Sequence, residues 1–328
     1  MSDGVRIIIA MPVYDDWDSA ATLCGHLEGA LARRAERISI VLVDDGSTTP
    51  APQPWPASGA ERAIDVSVLE LTRNLGHQRA IAVGLAYIDE HVPADAVVVM
   101  DADGEDRAED VPRLLDALHR TGFARIVFAQ RRRRVEGLTF RLGYMTYRAL
   151  HRVLTGVGVQ VGNFSVIPAR YVRHLAVSTE TWAHYAAAVY AARLPVQLVP
   201  ADRGRRIAGQ SHMNYSTLVA HGLGALSVFR HRVAGRLLIG TAALVATLAL
   251  ALGGAIALRY AHGTPPSAAM VALFALIVAD IGLTGFGIAF AVFAEREALG
   301  FVPSRDYRLF VRGCKRVNEP GRVPVPGR

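Results

Sequence analysis

The chain has 328 residues, 51% of them hydrophobic, with 36 Lys and Arg against 29 Asp and Glu and a formal charge of +7. Cys24 and Cys314 stand far apart without metal-type spacing, so no disulfide framework is expected and a reducing compartment fits. No basic n-region or long apolar stretch opens the sequence, so no signal peptide is expected, and no nucleic-acid-binding motif accompanies the positive charge.

Val5–Ala10 reads as a first strand, leading into Met11-Pro12-Val13-Tyr14-Asp15-Asp16, where Pro12 is expected to end the strand's hydrogen bonding. Residues 18–34 place Ala21, Leu23, Leu27, Ala30 and Leu31 at helical spacing. Ile38–Val43 is a second strand, ending at Asp44-Asp45-Gly46-Ser47, and the proline-rich stretch 50–60 is a loop. Val66–Leu71 is a third strand, after which Arg73-Asn74-Leu75-Gly76-His77 turns into a helix through about Ile88. Ala96–Met100, with three consecutive valines, reads as a buried parallel strand that stops at Asp101-Ala102-Asp103-Gly104-Glu105-Asp106. Helix 111–120 and strand 125–129 follow.

Strands alternating with helices predict a mainly parallel sheet with right-handed crossovers. Three strand ends (Pro12–Asp16, Asp44/Asp45 and Asp101/Asp103) then deliver carboxylates to the edge where open α/β sheets bind ligands. Like charges gathered on one edge repel, and a bound cation with a polar ligand removes that cost. Oxygen-only ligands at Asp101 and Asp103 suit Mg²⁺ or Mn²⁺, which in turn suits a diphosphate. The plainer alternative is that one aspartate caps the next helix. No G-x-G-x-x-G follows the first strand and no G-x-x-x-x-G-K-[ST] occurs, which disfavours a nicotinamide enzyme and a P-loop kinase.

Further along, Arg131-Arg132-Arg133-Arg134 is either a solvated face or a cluster that attracts phosphate. Residues 138–154 read as a helix packed by Leu142, Met145, Leu150 and Leu154. A strand at 162–167, helices at 168–176 and 180–193, a strand at 196–199 and a flexible basic loop at 203–214 follow, with His184 expected to be packed or on the surface rather than catalytic. Residues 216–232 have apolar helical spacing and a basic end, the pattern of a helix lying on a membrane surface.

Leu237–Leu258 holds 22 residues without a charge, and Ala268–Ala294 is interrupted only by Asp280. Each run is long enough for the ~30 Å hydrocarbon layer, and the short connector makes them an antiparallel hairpin. Arg230, Arg232, Arg236 and Arg296 flank the pair against Arg259 in the connector, which predicts cytoplasmic termini. Asp280 at mid-span is costly unless it faces protein or water. Gly282, Gly285 and Gly287 permit close helix packing, and a homo-oligomer is expected. Residues 295–328 carry eight basic side chains against four acids, a basic tail suited to anionic lipid heads. Only Lys315 among the basic residues is a lysine, and arginine is the better bidentate phosphate partner.

Met11–Asp16, Val43-Asp-Asp-Gly-Ser47, Arg73-Asn-Leu-Gly-His-Gln78, Met100-Asp-Ala-Asp-Gly-Glu-Asp106, Gly162-Asn-Phe-Ser165 and Arg206-Ile-Ala-Gly-Gln-Ser211, taken with the hairpin, resemble the family 2 glycosyltransferases of the polyprenyl-phosphate type. The resemblance covers residues 1–294. It implies a GT-A fold, α/β and Rossmann-like with a mainly parallel sheet, a C-terminal two-helix transmembrane hairpin, and inverting transfer from a UDP- or GDP-sugar to polyprenyl (undecaprenyl) phosphate at the inner membrane. It further implies that Pro12, Tyr14, Asp16, Asp44 and Asp45, with Asp101, hold the nucleotide sugar. Asp101, Asp103 and Glu105 would ligate Mg²⁺ or Mn²⁺, and Arg131, Arg134, Arg206 and Ser211 would face the lipid phosphate or the diphosphate. The expected division is a catalytic domain at 1–213, an amphipathic juxtamembrane helix at 214–236, spans at 237–258 and 268–294, and a cytoplasmic tail at 295–328. Two alternatives stand beside this: transfer to another lipid or polysaccharide acceptor, and a catalytically silent membrane scaffold that binds a nucleotide sugar. Against a processive polysaccharide synthase, none of Trp17, Trp55 and Trp182 lies in a Q-x-x-R-W motif.

Overall fold

The computed structural model describes residues 4–56, 64–131, 138–158, 161–208, 215–263, 267–317 and 322–323. In chain order these form β1 (Arg6–Val13), α1 (Trp17–Leu31), β2 (Arg37–Asp44), β3 (Asp65–Leu71), α2 (His77–His91), β4 (Ala96–Val99), α3 (Val111–Arg120), β5 (Ile126–Arg131) and α4 (Leu138–Thr155). Then come β6 (Ser165–Pro168), α5 (Ala169–Ala176), α6 (Glu180–Ala183), α7 (Tyr185–Ala191), β7 (Val196–Ala201), α8 (Tyr215–Ser227), α9 (Arg230–Ala261), α10 (Ala268–Leu299), α11 (Pro303–Asp306), β8 (Val311–Arg316) and β9 (Arg322–Val323). Their contacts divide them into two units, one within residues 1–137, 159–224 and 300–328, the other within 138–158 and 225–299.

In the first unit the described strands make one sheet in the order β7-β5-β6-β4-β1-β2-β3-β8-β9. The centre, β4-β1-β2-β3, is parallel. Helices cover both of its faces, which is why its strands are continuous apolar runs rather than alternating ones. Ile7, Ile9 and Met11 pack on one face with Leu23 and Leu27 of α1 and Leu114 of α3. Ile8 and Ala10 pack on the other with Ile81 and Leu85 of α2 and Leu175 of α5. The expected mixed α/β architecture with a mainly parallel sheet is therefore the observed one; beside that centre β6 runs antiparallel between β4 and β5.

One expectation is corrected here. Pro12 does not end β1, which continues to Val13 with Pro12 in register with Val43. The proline is tolerated because β4 pairs with β1 only as far as Ala10, so no ladder donor is needed on that side. Within the expected tail at 295–328, the described segment from residue 300 belongs to the first unit, and β8 pairs antiparallel with β3 as an outer strand of its sheet. Lys315 reaches Glu70 at 2.6 Å, Arg308 pairs with Glu90, and the buried Tyr307 donates to Glu90 Oε2 at 2.7 Å.

The second unit holds α4, α9 and α10. Leu237 lies against Gly287 and Thr241 meets Thr284, so α9 and α10 run antiparallel. Both are long and apolar enough to cross a membrane, over Arg230–Ala261 in α9 and Ala268–Ala289 in α10. Asp280, one turn from Thr284, is half-buried. The expected amphipathic helix at 214–236 is broken at Phe229, whose backbone leaves the helical region, and residues 230–236 are the first turns of α9. The break lets Phe229 bury its ring edge-on to His151, 5.9 Å between centroids. Residues 138–155, expected within the catalytic domain, pack with α9 instead. Arg236 donates to the carbonyl of Val153 at 2.6 Å, a cation satisfying the carbonyl end of α4. Met145 and Leu150, expected to pack this helix, are 58% and 50% exposed.

Candidate active site

The parallel strands β1, β2 and β4 all end on one edge, and each hands a carboxylate to it. After β4 the chain makes a turn that bonds to itself. Buried Asp106 accepts the amide of Asp101 at 3.0 Å, and Asp103 Oδ1 accepts the amide of Glu105 at 2.9 Å. Gly104 sits at φ +84°, where a side chain would be strained and would strike Ile207.

The segment 203–207 lies directly over this turn. Gly204 donates to the carbonyl of Glu105 at 2.8 Å and Ile207 to that of Asp103 at 2.9 Å. Two arginines thereby reach the acids. Arg203 grips Glu105 with both nitrogens, at 2.5 to 2.9 Å. Arg206 bridges two strand ends, 2.6 Å to Asp16 Oδ2 after β1 and 3.0 Å to Asp103 Oδ2 after β4. Burial is the leading influence on Asp103 and raises its carboxyl above the ordinary aspartate range, with Asp101 and Glu105 adding to it and Arg206 opposing.

A histidine completes the edge. His77 begins α2, and its Nε2 lies 3.1 Å from Asp101 Oδ1 and 2.9 Å from Asn163 Nδ2. Desolvation works to lower its pKa, but the charges of Asp101, Asp106 and Asp103 outweigh it and raise it. Gln78 joins the same network, donating to Asn163 Oδ1 at 3.2 Å and accepting the amide of Tyr185 at 2.8 Å. Two sequence motifs that lie 85 residues apart, Arg73–Gln78 and Gly162–Ser165, thus meet at the DxD turn.

The carboxylates after β2 behave differently. Asp45 is 3% exposed, and its two oxygens accept the amides of Leu75 and Gly76 at 2.7 and 2.9 Å. It holds the loop that carries His77. Half-buried Asp44 accepts the amide of Ser47 at 2.8 Å. Burial raises both carboxyls above the usual range. Tyr14 is 42% exposed beside Asp15, whereas Pro12 is buried inside β1. Arg131 ends β5, which runs in the direction of β4 and so finishes on the same edge. Arg134 and Ser211 lie outside the described residues.

The three carboxylates expected to ligate a metal do not converge. Among the described residues no group of three or more His, Cys, Asp and Glu is arranged to hold an ion. Glu105, also expected in the ligand set, is turned to Arg203. Asp101 and Asp103 remain an oxygen donor pair on one turn, and the donor set fits a hard divalent cation. Each now faces a side chain that an ion could replace. Sequence reasoning missed His77, Arg203 and Asp106 as site residues. His77 was within a quoted motif, and Arg203 preceded one, but neither spacing nor residue type showed which acid each would face.

Strand-end carboxylates faced by arginines and a histidine thus gather on one edge of the mainly parallel sheet. The family model for "Glycosyl transferase family 2" matches residues 8–175, just over half of the chain, and the protein belongs to that family. Among curated relatives, an undecaprenyl-phosphate 4-deoxy-4-formamido-L-arabinose transferase from Erwinia tasmaniensis is 28% identical over 171 residues, which cover 52% of this chain and 50% of the relative. The Pseudomonas fluorescens protein of the same description is 33% identical over 110 residues, covering 34% and 31%. The chain thus spans about half the length, or less, of the curated relatives it matches. The crystal structure of mannosyl-3-phosphoglycerate synthase from Rubrobacter xylanophilus superposes with a TM-score of 0.50 at 15% identity, covering 70% of this chain and 74% of that one. That likeness concerns the fold.

Proposed function

We propose that this protein is a membrane-bound glycosyltransferase that moves a sugar from a UDP- or GDP-sugar to a polyprenyl phosphate, undecaprenyl phosphate in the first instance. The observation that carries the proposal is the DxD turn after β4, with Arg206 tying Asp103 to Asp16 and His77 against Asp101. The curated relatives' description supports the acceptor, and the two apolar antiparallel helices support a membrane setting. Arginines at 230, 232, 236 and 296 favour a hairpin with both ends cytoplasmic.

Asp101 and Asp103 would hold Mg²⁺ or Mn²⁺, which when bound supplies positive charge to the leaving diphosphate. The remaining work falls to the chain. A lipid phosphate is already ionised at neutral pH, so its oxygen attacks the anomeric carbon without a general base. The bond from that carbon to the diphosphate oxygen breaks, and the nucleoside diphosphate leaves with the electron pair. Attack in line with the leaving group inverts the anomeric centre. Arg206 is placed to leave Asp103 and Asp16 for the diphosphate as charge grows there, and Arg203 stands next to it. Exposed Tyr14 and half-buried Asp16, at the mouth of β1, are the groups for the nucleoside. The test is transfer of radiolabelled sugar from a panel of UDP- and GDP-sugars into undecaprenyl phosphate by the detergent-purified protein. Label in the lipid fraction that depends on a divalent ion and disappears in Asp103→Asn is expected. Absence of transfer from every donor, with nucleotide still bound, would overturn the acceptor assignment.

A further inference from the structure

After α10 the chain re-enters the first unit through an aromatic block. Phe301, the second residue past the end of α10, stacks on Trp182 of α6 with ring centroids 3.6 Å apart and 29° between planes. Phe310, just before β8, closes the block at 5.7 Å from Trp182 and 5.4 Å from Phe301. Two guanidinium groups stand on these rings: Arg79 at 5.3 Å from the Trp182 ring and Arg73 at 5.6 Å from the Phe310 ring. The two arginines bracket the Leu75-Gly76-His77 turn that delivers His77 to Asp101. The backbone of that turn is fixed from both sides, by the Asp45 carboxylate on its amides and by Gly46, where any Cβ would overlap Arg73 and Asn74.

Several other arginines of this unit meet acids: Arg34 meets Glu36, Arg173 meets Asp89, Arg203 meets Glu105 and Arg308 meets Glu90. Among the described residues neither Arg73 nor Arg79 meets a carboxylate; both meet rings. A guanidinium that lies over a ring spends its face there and keeps its in-plane N–H groups for an anion. Two such cations match the charge of a phosphate monoester, about −1.5 to −2 at neutral pH. Arg206 already belongs to the donor-side acids.

We propose that Arg73 and Arg79, held on Phe310 and Trp182, form the subsite for the phosphate head of the lipid acceptor, and that the returning C-terminal segment builds it. The proposal rests on the function proposed above. It divides the site's cations: Arg203 and Arg206 serve the diphosphate donor, and Arg73 and Arg79 serve the acceptor. The C-terminal segment thereby becomes part of acceptor recognition rather than a lipid-coating tail.

The full-length protein is assayed with labelled nucleotide sugar and undecaprenyl phosphate, varying each in turn. The double variant Arg73→Gln/Arg79→Gln is expected to raise the KM for undecaprenyl phosphate tenfold or more, with donor KM within twofold and an unchanged melting temperature. Arg79→Lys, which keeps the charge, is expected to recover part of the loss. Phe310→Leu, which keeps the segment but removes the ring, is expected to raise the acceptor KM by a smaller factor. In a second arm the protein is sedimented with phosphatidylcholine vesicles containing either undecaprenyl phosphate or phosphatidylglycerol. Loss of binding by the double variant on the first vesicles alone supports the subsite; equal loss on both assigns the arginines to any anionic lipid and overturns it. An unchanged acceptor KM, or unchanged binding to undecaprenyl phosphate vesicles, also overturns it. If the wild type transfers sugar from no donor, the function proposed above fails, and the vesicle arm decides the subsite by itself.

Discussion

The ends of β2 and β4 carry the same sequence signal, a run of apolar residues stopped by two aspartates, and the fold uses them in opposite ways. At β2, Asp45 is buried and bonded to fixed backbone amides, partners that cannot leave. At β4, Asp101 and Asp103 face a histidine and an arginine, side chains that can be displaced or redirected. A carboxylate held by backbone donors shapes a loop, whereas one held by a mobile cation can exchange that partner for a ligand. The β2 end therefore positions His77, and the β4 end is where chemistry is expected.

Substitutions at the two ends separate these roles. Asp103→Asn is expected to cost at least about 100-fold in kcat for sugar transfer, the scale for losing a charge-stabilising group. Arg206→Ala is expected to cost about 10- to 100-fold, read in the same assay, because it removes the cation shared by Asp16 and Asp103. Asp45→Ala should act on the fold: it strands one buried and one part-buried amide and is expected to lower stability by about 3 kcal/mol in urea unfolding of the detergent-solubilised protein. Where the variant remains folded, donor affinity is expected to fall by less than about threefold. Glu105→Gln is expected to change kcat by less than threefold and stability by under about 1 kcal/mol, because its partner Arg203 is 36% exposed and such pairs contribute little.

Proton linkage gives a further contrast. The folded state raises the Asp103 pKa above its unfolded value of about 3.9, so the ionised carboxylate costs folding stability above that pH. That contribution is fully favourable below the unfolded pKa and is lost as pH rises through the folded one. Asp103→Asn is therefore expected to melt above the wild type at pH 7, with the gap closing as the pH falls towards 4. A variant that is inactive yet more stable would mark Asp103 as retained for function.

Much of this was legible in the sequence. The valine run of β4 and the isoleucines of β1 and β2 read correctly because strands covered on both faces must be apolar throughout. The DxD turn read correctly because Gly104 and the flanking acids lie next to each other. What failed was non-local. Nothing local to Asp45 says that its oxygens are taken by amides 30 residues away. β8 reads Val-Arg-Gly-Cys-Lys-Arg, the charged composition of an outer strand, which in sequence cannot be told from a solvated tail. The apolar spacing of α4 was read correctly as helical, but Met145 and Leu150 proved to be open rather than packed. Arg73 and Arg79 looked like ordinary basic residues until the rings beneath them, more than 100 residues on in sequence, were in place.

The most direct test is Mn²⁺ binding measured by electron paramagnetic resonance in the presence of UDP or GDP, for the wild type, Asp103→Asn and Asp44→Asn. The account predicts nucleotide-dependent Mn²⁺ binding that Asp103→Asn abolishes and Asp44→Asn leaves largely intact. Equal binding by wild type and Asp103→Asn, or loss only in Asp44→Asn, would contradict the assignment of the β4 end as the seat of the chemistry.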